Sequence, residues 1–394
     1  MGNTHTYRLA LWIATCMSLN ACAQPAESAG VARAAAPVQP VKADGMEIRT
    51  VASGLDHPWA VAVLPEGGFL VTERPGRLRR IDAKGALSAP IANLPAVFAK
   101  GQGGLLDVVL APDYAKSRRI YFSYAEPGPN GTAGTAVAMA TLGATALNAV
   151  RVIYRQAPKL SGGNHFGSRL VFDGRGNLFI SQGEREQRAL SQDLTKLQGK
   201  LVRLKLDGTV PTDNPFVGRA GARPEIWSYG HRNIQGMAID PRTGTLWQSE
   251  HGPRGGDELN LPVPGRNYGW PVITHGINYS GLRIPEAVGK SAPGMEQPHH
   301  VWEKSPGLSG MAFLTGRQGH PWNNNLFLGA LADRNLIRLK LDDNRIVGEA
   351  RLLGDLGERI RDVRVGPDGA VYVLTDADNG RLLRLEPGRA DKRR

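Results

Sequence analysis

The stretch Trp59–Glu73, with the sequence WAVAVLPEGGFLVTE, consists of two short apolar segments joined by a Pro-Glu-Gly-Gly turn. Short segments of this kind that flank a glycine-containing turn are typical of a β-hairpin. The second segment ends in the polar pair Thr72-Glu73. This stretch therefore predicts two antiparallel strands with a polar side chain at the end of the second.

The same pattern recurs five more times along the chain of 394 residues. The other copies begin at Leu105, Ser168, Gly236, Gly310 and Asp362. Each has an apolar or small start, a turn rich in Pro, Asp and Gly, and a short strand with a polar end, so it is an internal repeat. The spacing between copies varies from roughly 45 to 75 residues, which predicts connecting loops of very different length.

We predict an all-β fold, a six-bladed β-propeller of four-stranded antiparallel blades in which each copy forms an inner hairpin. Outer strands are predicted at Leu201–Leu206 and Asn335–Leu341, which alternate apolar and polar residues. Met46–Val51 is predicted to add a strand to the last blade and so to close the ring. A β-sandwich built from similar strands is the alternative.

The two ends of the chain differ from the repeats. Arg8 and the apolar run Leu9–Leu19, which is too short to span a bilayer, predict a signal peptide over 1–23. The sequence around Cys22 fits either a bacterial lipobox, which would give a lipid anchor, or ordinary signal cleavage. We therefore expect a periplasmic or otherwise exported protein, anchored to a membrane if Cys22 is lipidated.

A flexible linker rich in Ala and Pro is predicted over 24–45, the propeller over 46–388 and a basic tail over 389–394. Both cysteines, Cys16 and Cys22, lie in the leader, so the propeller contains no thiol. The formal charge is +12, but the basic residues are scattered rather than gathered beside aromatic ones. This distribution argues against nucleic acid as a partner and favours an anionic cofactor or surface.

Three segments carry side chains suited to acid–base chemistry. His165 follows Gly162-Gly-Asn164, and a histidine needs no tuning to act as a general base near neutral pH. Glu184, at the far end of the same hairpin, is predicted to orient it. Arg232 offers a planar fork of donors that can stabilise an oxyanion or a quinone oxygen.

Other segments favour a metal ion and an anionic ligand. The turn at Gly252-Pro253 can expose carbonyl oxygens beside Asp257-Glu258, and ligation by oxygen alone favours calcium. Zinc is the alternative, but the histidines nearby lack the spacing of a zinc site. Gln102 and the pair Arg359 and Arg361 are positioned to hold a polyanion between them.

The chain resembles the glucose/sorbosone dehydrogenase family of sugar dehydrogenases that depend on pyrroloquinoline quinone (PQQ), especially its bacterial periplasmic aldose branch. The resemblance extends from about Gly54 to Glu386. It rests on the motifs Gly-Gln-Gly-Gly-Leu-Leu, Asn-His-Phe-Gly-Ser-Arg-Leu, Gly-His-Arg-Asn-x-Gln-Gly, Glu-x-Gly-Pro-x-x-x-Asp-Glu-Leu-Asn and Asn-Tyr-Gly-Trp-Pro, in this order.

The resemblance implies oxidation of the C1 hydroxyl of an aldose to a lactone, with electrons passed to an unknown acceptor, by a monomer or a dimer. By the resemblance, His165 is the base and Glu184 orients it, while Asn164 and Arg232 contact the substrate and the quinone. PQQ is held by Gln102, Arg359 and Arg361. The catalytic calcium (Ca²⁺) is bound by the carbonyls of Gly252 and Pro253, and a structural calcium by Glu258 and the Tyr268 carbonyl. Ala332 stands where many members have a lysine that binds the cofactor, and Arg334 is predicted to reach the same carboxylate.

Two other functions remain open from the residues alone. One is a metal-dependent lactonase, since a propeller can hold a metal ion at the mouth of its channel. The other is a propeller that binds glycans without catalysis. Fold analogy by itself does not separate these functions from sugar oxidation.

Overall fold

The computed structural model describes Met1, Gly2, the backbone of residues 39–40, and residues 45–388. Nearly all of the predicted signal peptide and linker, and the whole of the basic tail, lie outside these residues. Within this part of the chain, no helix has both the length and the apolar character needed to cross a membrane.

Nearly all of the regular secondary structure is β-strand. The strands are β1 (Gln39–Pro40), β2 (Met46–Leu55), β3 (Pro58–Val63), β4 (Phe69–Glu73), β5 (Arg77–Ile81), β6 (Leu105–Leu110), β7 (Arg119–Pro127), β8 (Ala133–Leu142), β9 (Leu147–Arg155), β10 (Gly167–Phe172), β11 (Asn177–Gln182), β12 (Lys200–Lys205), β13 (Ile226–Tyr229), β14 (Ile234–Ile239), β15 (Leu246–Glu250), β16 (Asp257–Asn260), β17 (His300–Trp302), β18 (Leu308–Leu314), β19 (Asn325–Ala330), β20 (Asn335–Asp342), β21 (Arg345–Leu352), β22 (Ile360–Val365), β23 (Val371–Thr375) and β24 (Gly380–Pro387). The helical elements are α1 (Tyr114–Ser117) and 3₁₀ turns at Pro129–Gly131, Arg188–Ser191 and Gly354–Leu356.

The strands form six sheets, which confirms the predicted six-bladed propeller and excludes the sandwich. The blades are, in order, β3–β5, β6–β9, β10–β13, β14–β17, β18–β21, and β22–β24 with β2. Each of the six sequence copies forms an inner hairpin, as predicted. The first blade has three strands rather than four, and β1 adds a short parallel pairing to the fifth blade.

The N-terminal strand closes the ring, as the sequence predicts. β2 pairs with β24 in antiparallel register, with Met46 opposite Pro387 and Arg49 opposite Arg384. The sixth blade is thereby built from both ends of the propeller, with β2 as its outermost strand.

Hydroxyl groups at or next to the polar end of the first three sequence copies link neighbouring blades. Thr72 of β4 donates to the Leu106 carbonyl of the second blade at 2.5 Å. Ser181 of β11 makes the same kind of bond to the Ile234 carbonyl of the fourth blade at 3.2 Å. The repeated polar position therefore joins one blade to the next.

Every inner strand carries a β-bulge near its first residues. The register shifts lie between Pro58 and Ala60, Leu105 and Val108, Gly167 and Leu170, Ile234 and Gly236, Leu308 and Met311, and Ile360 and Asp362. A bulge bends the strand and changes the direction of its side chains, often beside an active site. The bulges thus turn side chains of the inner strands towards the end of the ring where these strands begin.

A cluster of buried charges joins the inner strands of several blades. Arg169 of β10 donates to Asp107 of β6 at 3.1 Å and to Asp362 of β22 at 3.0 Å. Arg364 donates to Asp107 at 2.9 Å, so two cations face two carboxylates. The Arg169 guanidinium also lies 4.3 Å from the ring centroid of Trp59 in the first blade. The cluster therefore holds blades one, two, three and six together.

The inner strands of blades four and five leave room for this arrangement. A Cβ atom on Gly310 would lie 2.1 Å from Oδ1 of Asp362, and one on Gly236 would lie 2.4 Å from the Ser309 carbonyl. Any side chain at Gly310 would displace the carboxylate that binds Arg169. These two positions therefore require glycine for reasons of space.

We expect Arg169→Met to lower the free energy of unfolding by about 3–5 kcal/mol, because Asp107 and Asp362 would stay buried without their shared cation. Urea denaturation measures the loss. Arg175→Met, in the exposed turn of the same hairpin, is the matched control and should change stability by less than about 0.5 kcal/mol. Equal losses in the two variants would contradict the structural role of the cluster.

Candidate active site

The connectivity of the hairpins brings distant loops to one end of the ring. In each hairpin the inner strand begins, and its antiparallel partner ends, at the same end of the sheet. His165 precedes β10 and Glu184 follows β11, while Arg232 precedes β14 and Gly252 follows β15. The predicted site residues therefore share one end of the propeller.

A cavity of about 970 Å³ lies at this end. Five residues predicted from the sequence line it, namely Gln102, Gly252, Pro253, Arg359 and Arg361. Trp59, Leu106 and Gln235 also line it, and each belongs to or adjoins a bulged segment of an inner strand. The bulges of the fold thus supply part of the cavity wall.

The two arginines of the cavity share one carboxylate. Asp376 accepts from Arg361 at 2.7 Å, from Arg359 at 3.4 Å and from Nδ1 of His57 at 2.9 Å. Burial alone would raise the pKa of Asp376, but Arg361, His57 and Arg359 outweigh burial and hold that pKa well below its usual value. The ionised carboxylate therefore fixes the direction of both guanidinium groups.

Sequence reasoning missed Asp376 and His57. Asp376 directly follows the last strand of the sixth copy, at the position after the polar residue Thr375. Extending each copy by one residue towards the mouth would have found it. His57 lies outside the six sequence copies, so the repeat does not predict its place in the site.

A second cavity of about 410 Å³ adjoins the first, since Pro253 and Tyr279 line both. His165, Glu184 and Arg232 line this second cavity. The structure thus brings together the residues predicted for acid–base chemistry and places them next to the residues predicted to bind an anion.

His165 and Glu184 form a buried hydrogen-bonded pair with 2.5 Å between Nδ1 and Oε2. The same carboxylate oxygen accepts from the amide of Glu186 at 3.0 Å, and the amide of His165 donates to Gln102 at 2.9 Å. With Nδ1 donating to Glu184, Nε2 is the nitrogen left to accept a proton. The pair therefore has the geometry of an oriented base.

Arg185 holds the loop that carries His165, and sequence reasoning missed it. His165 has a φ of 54°, in the left-handed region that side chains other than glycine rarely adopt. Arg185 donates to the carbonyls of Gly162, Asn164 and Ala133 at 2.5, 2.7 and 2.6 Å. Burial lowers the pKa of Arg185 to about 10, against the effect of the two neighbouring glutamates, so it remains a cation at neutral pH.

Arg232 is nearly buried and keeps one donor without a partner. Its Nη1 donates to the Gly252 carbonyl at 2.7 Å, and its guanidinium lies 5.4 Å from the ring centroid of Trp270. Its Nε is buried and has no hydrogen-bond partner. The guanidinium belongs to a residue that lines the second cavity, so Arg232 is placed to donate to an oxygen of a bound molecule there.

A third cavity of about 10 Å³ is lined by Gly252, Glu258 and Tyr268, three of the residues predicted as metal ligands. This volume is close to that needed for one water molecule or one small ion. Burial, with a contribution from Glu250, raises the pKa of Glu258 to about 8. A cation in this cavity would compensate for the burial of these carboxylates.

The two histidines near Gly252 are engaged in hydrogen bonds within the protein. Among the described residues there is no group of three or more His, Cys, Asp or Glu side chains that could hold a metal ion. His231 is bonded to Glu250 and Ser228, each at 2.9 Å, and His251 donates to the Leu308 carbonyl at 2.5 Å. Ligation by main-chain carbonyls and a few carboxylates is the pattern of calcium.

Two predicted residues lie outside the linings of these cavities. The Asn164 side chain donates to Glu186 at 3.0 Å, so it supports the rim rather than facing the interior. Arg334 donates to the Gly357 carbonyl at 3.2 Å, away from the large cavity, whose wall includes Ala332. The geometry therefore gives no support to a cofactor contact from Arg334.

Comparisons with known proteins agree with the resemblance predicted from the motifs. The aldose sugar dehydrogenase YliI of Escherichia coli K12 is 54% identical over 345 residues, which cover 87% of this chain and 93% of that protein. A solved glucose dehydrogenase is 58% identical with a TM-score of 0.85, covering 87% of this chain and all of the other. The PQQ-bound aldose sugar dehydrogenase of Streptomyces coelicolor is 29% identical with a TM-score of 0.72, covering 88% of this chain and all of its own.

The family model described as glucose/sorbosone dehydrogenase matches residues 55–384, almost the whole propeller. The motifs, the six blades and this match all point to the same assignment. The chain therefore belongs to the glucose/sorbosone dehydrogenase family.

Proposed function

We propose that this protein oxidises the C1 hydroxyl of aldose sugars to the lactone, using PQQ as the oxidant and calcium as a Lewis acid. The observation that carries the proposal is the buried His165–Glu184 pair in a cavity that adjoins, through Pro253, a cavity with paired arginines. Relatives named as aldose sugar dehydrogenases, one of them solved with PQQ bound, support the same substrate and cofactor.

The residues of the large cavity fit a polyanionic quinone. PQQ carries three carboxylates, for which Arg359 and Arg361 supply charge and bidentate donors, and Gln102 supplies an amide. The carbonyls of Gly252 and Pro253 are the proposed ligands of the catalytic calcium. When bound, PQQ supplies a quinone that accepts two electrons from the sugar, and calcium polarises that quinone.

Side chains of the protein itself remove the proton of the C1 hydroxyl and stabilise the resulting charge. His165 Nε2 takes the proton of the C1 hydroxyl, which leaves the positive charge on the imidazole ring. Glu184, buried and 2.5 Å from Nδ1, stabilises that charge and keeps the ring in one tautomer. Arg232, which lines the same cavity as His165, stabilises negative charge on an oxygen that enters the site.

Two further parts of the proposal concern the second ion and the location of the protein. Glu258 and the carbonyl of Tyr268 are the proposed ligands of a structural calcium in the small cavity. The predicted signal peptide supports an exported enzyme, whose electrons pass to a separate acceptor.

The purified protein should reduce an artificial electron-accepting dye with aldoses when PQQ and calcium are added. His165→Gln should lower kcat by about 10²- to 10⁴-fold, because the proton of the C1 hydroxyl loses its acceptor. The affinity for PQQ, followed by absorbance, should change little. His320→Gln, between β18 and β19, is the matched control and should keep full activity.

Sugar oxidation unaffected by His165→Gln would refute the proposed base. Opening of a lactone with calcium alone, unchanged by PQQ, would instead indicate a metal-dependent hydrolase. Sugar binding without either reaction would indicate a glycan-binding propeller.

Calcium should raise the melting temperature of the protein, and a chelator should reverse this increase, because an ion bound only to the folded state stabilises that state. Glu258→Gln should remove most of the increase, since one carboxylate ligand is lost. Glu47→Gln, on the exposed face of β2, is the control and should leave it unchanged. A calcium effect of equal size in both variants would contradict the proposed structural site.

A further inference from the structure

Lys304 and Ala332 lie side by side on one wall of the large cavity. Lys304 belongs to the connection between β17 and β18, and Ala332 to the connection between β19 and β20. The two connections are joined by main-chain hydrogen bonds, from Leu331 to the Gly307 carbonyl and from Ala332 to the Pro306 carbonyl, both at 2.8 Å. Both residues line the cavity. The Lys304 side chain therefore originates next to position 332.

The ammonium group of Lys304 is only loosely held in the protein. Its charged partner is Asp333, with 3.7 Å between Nζ and Oδ1, and the Lys304 side chain is 91% exposed. Asp333 also pairs with Arg351 at 3.3 Å, so it does not depend on Lys304 for a cation. An exposed pair of this length contributes little to stability, and the ammonium is free to turn towards a bound anion.

The charge of the cavity makes this lysine important for an anionic ligand. Apart from histidines, the lining contains five basic and three acidic side chains, so its net charge is about plus two. The basic residues are Arg74, Arg254, Lys304, Arg359 and Arg361. Among the acidic side chains, Asp376 forms ion pairs with both Arg359 and Arg361. Lys304 is therefore one of five basic side chains around a proposed cofactor that carries three carboxylates.

We propose that Lys304 binds a carboxylate of PQQ and supplies the cation that position 332 lacks in this chain. This inference rests on the proposed function, because it requires an anionic cofactor in the large cavity. Arg359 lies on the same wall of the cavity, because its Nη1 donates to the Leu331 carbonyl at 3.3 Å. A carboxylate held there by Arg359 lies close to the connection that carries Lys304, and the bond formed is a charge-assisted hydrogen bond.

The test is a PQQ titration of the protein with calcium present, in which the absorbance of the cofactor reports binding without turnover. Lys304→Gln should weaken PQQ binding roughly three- to tenfold, and added salt should weaken it less than in the unsubstituted protein, since one screened ion pair is gone. Lys84→Gln, in the exposed turn after β5, is the matched control and should bind as the unsubstituted protein does.

The double variant Lys304→Gln/Ala332→Lys should recover most of the affinity, because the cation returns to the same wall from the neighbouring connection. Equal PQQ affinity in Lys304→Gln and the unsubstituted protein would overturn the inference and leave the proposed function standing. Failure of the unsubstituted protein to bind PQQ would overturn both.

Discussion

The bond from Arg169 to Asp107 and Asp362 is the interaction on which the geometry of the site depends. It joins the inner strands of blades two, three and six around one buried guanidinium. Arg361 directly precedes Asp362, and His165 lies four residues before Arg169, so both site residues extend from strands that this cluster holds. Because a buried carboxylate without its cation is strongly unfavourable, the strands are kept in register, and so are the loops that begin them.

The site consists of two adjoining cavities that differ in charge and in the side chains that line them. The larger one is basic and holds its guanidinium groups in place through Asp376, which favours an extended anion. The smaller one contains an imidazole whose free nitrogen is fixed by Glu184, which favours removal of a proton from a hydroxyl. Arg185 explains how His165 keeps a left-handed backbone, since its three bonds to main-chain carbonyls hold the loop. The two cavities therefore place a basic surface next to an oriented proton acceptor.

The sequence was sufficient to predict the six inner hairpins, the closing strand β2 and the convergence of His165, Glu184 and Arg232, because alternation and turn residues are local signals. It did not predict Arg185, because the main-chain carbonyls that Arg185 binds are brought together only by folding. Asp376 was missed because it lies one residue beyond the sixth sequence copy. Arg334 is near Ala332 in sequence, but its side chain donates to the Gly357 carbonyl and lies outside the lining of the large cavity, so the geometry gives its predicted cofactor contact no support. The first blade has three strands because the segment after β5 forms only isolated bridges, from Leu87 to Ile81 and from Ala92 to Ala146 of the second blade.

A crystal structure of the protein with PQQ and calcium would test the central claim most directly. The account predicts the carboxylates of PQQ at Arg359 and Arg361, a calcium ion on the carbonyls of Gly252 and Pro253, and the quinone facing His165 across Pro253. PQQ bound elsewhere, or bound with its quinone directed away from His165, would contradict it.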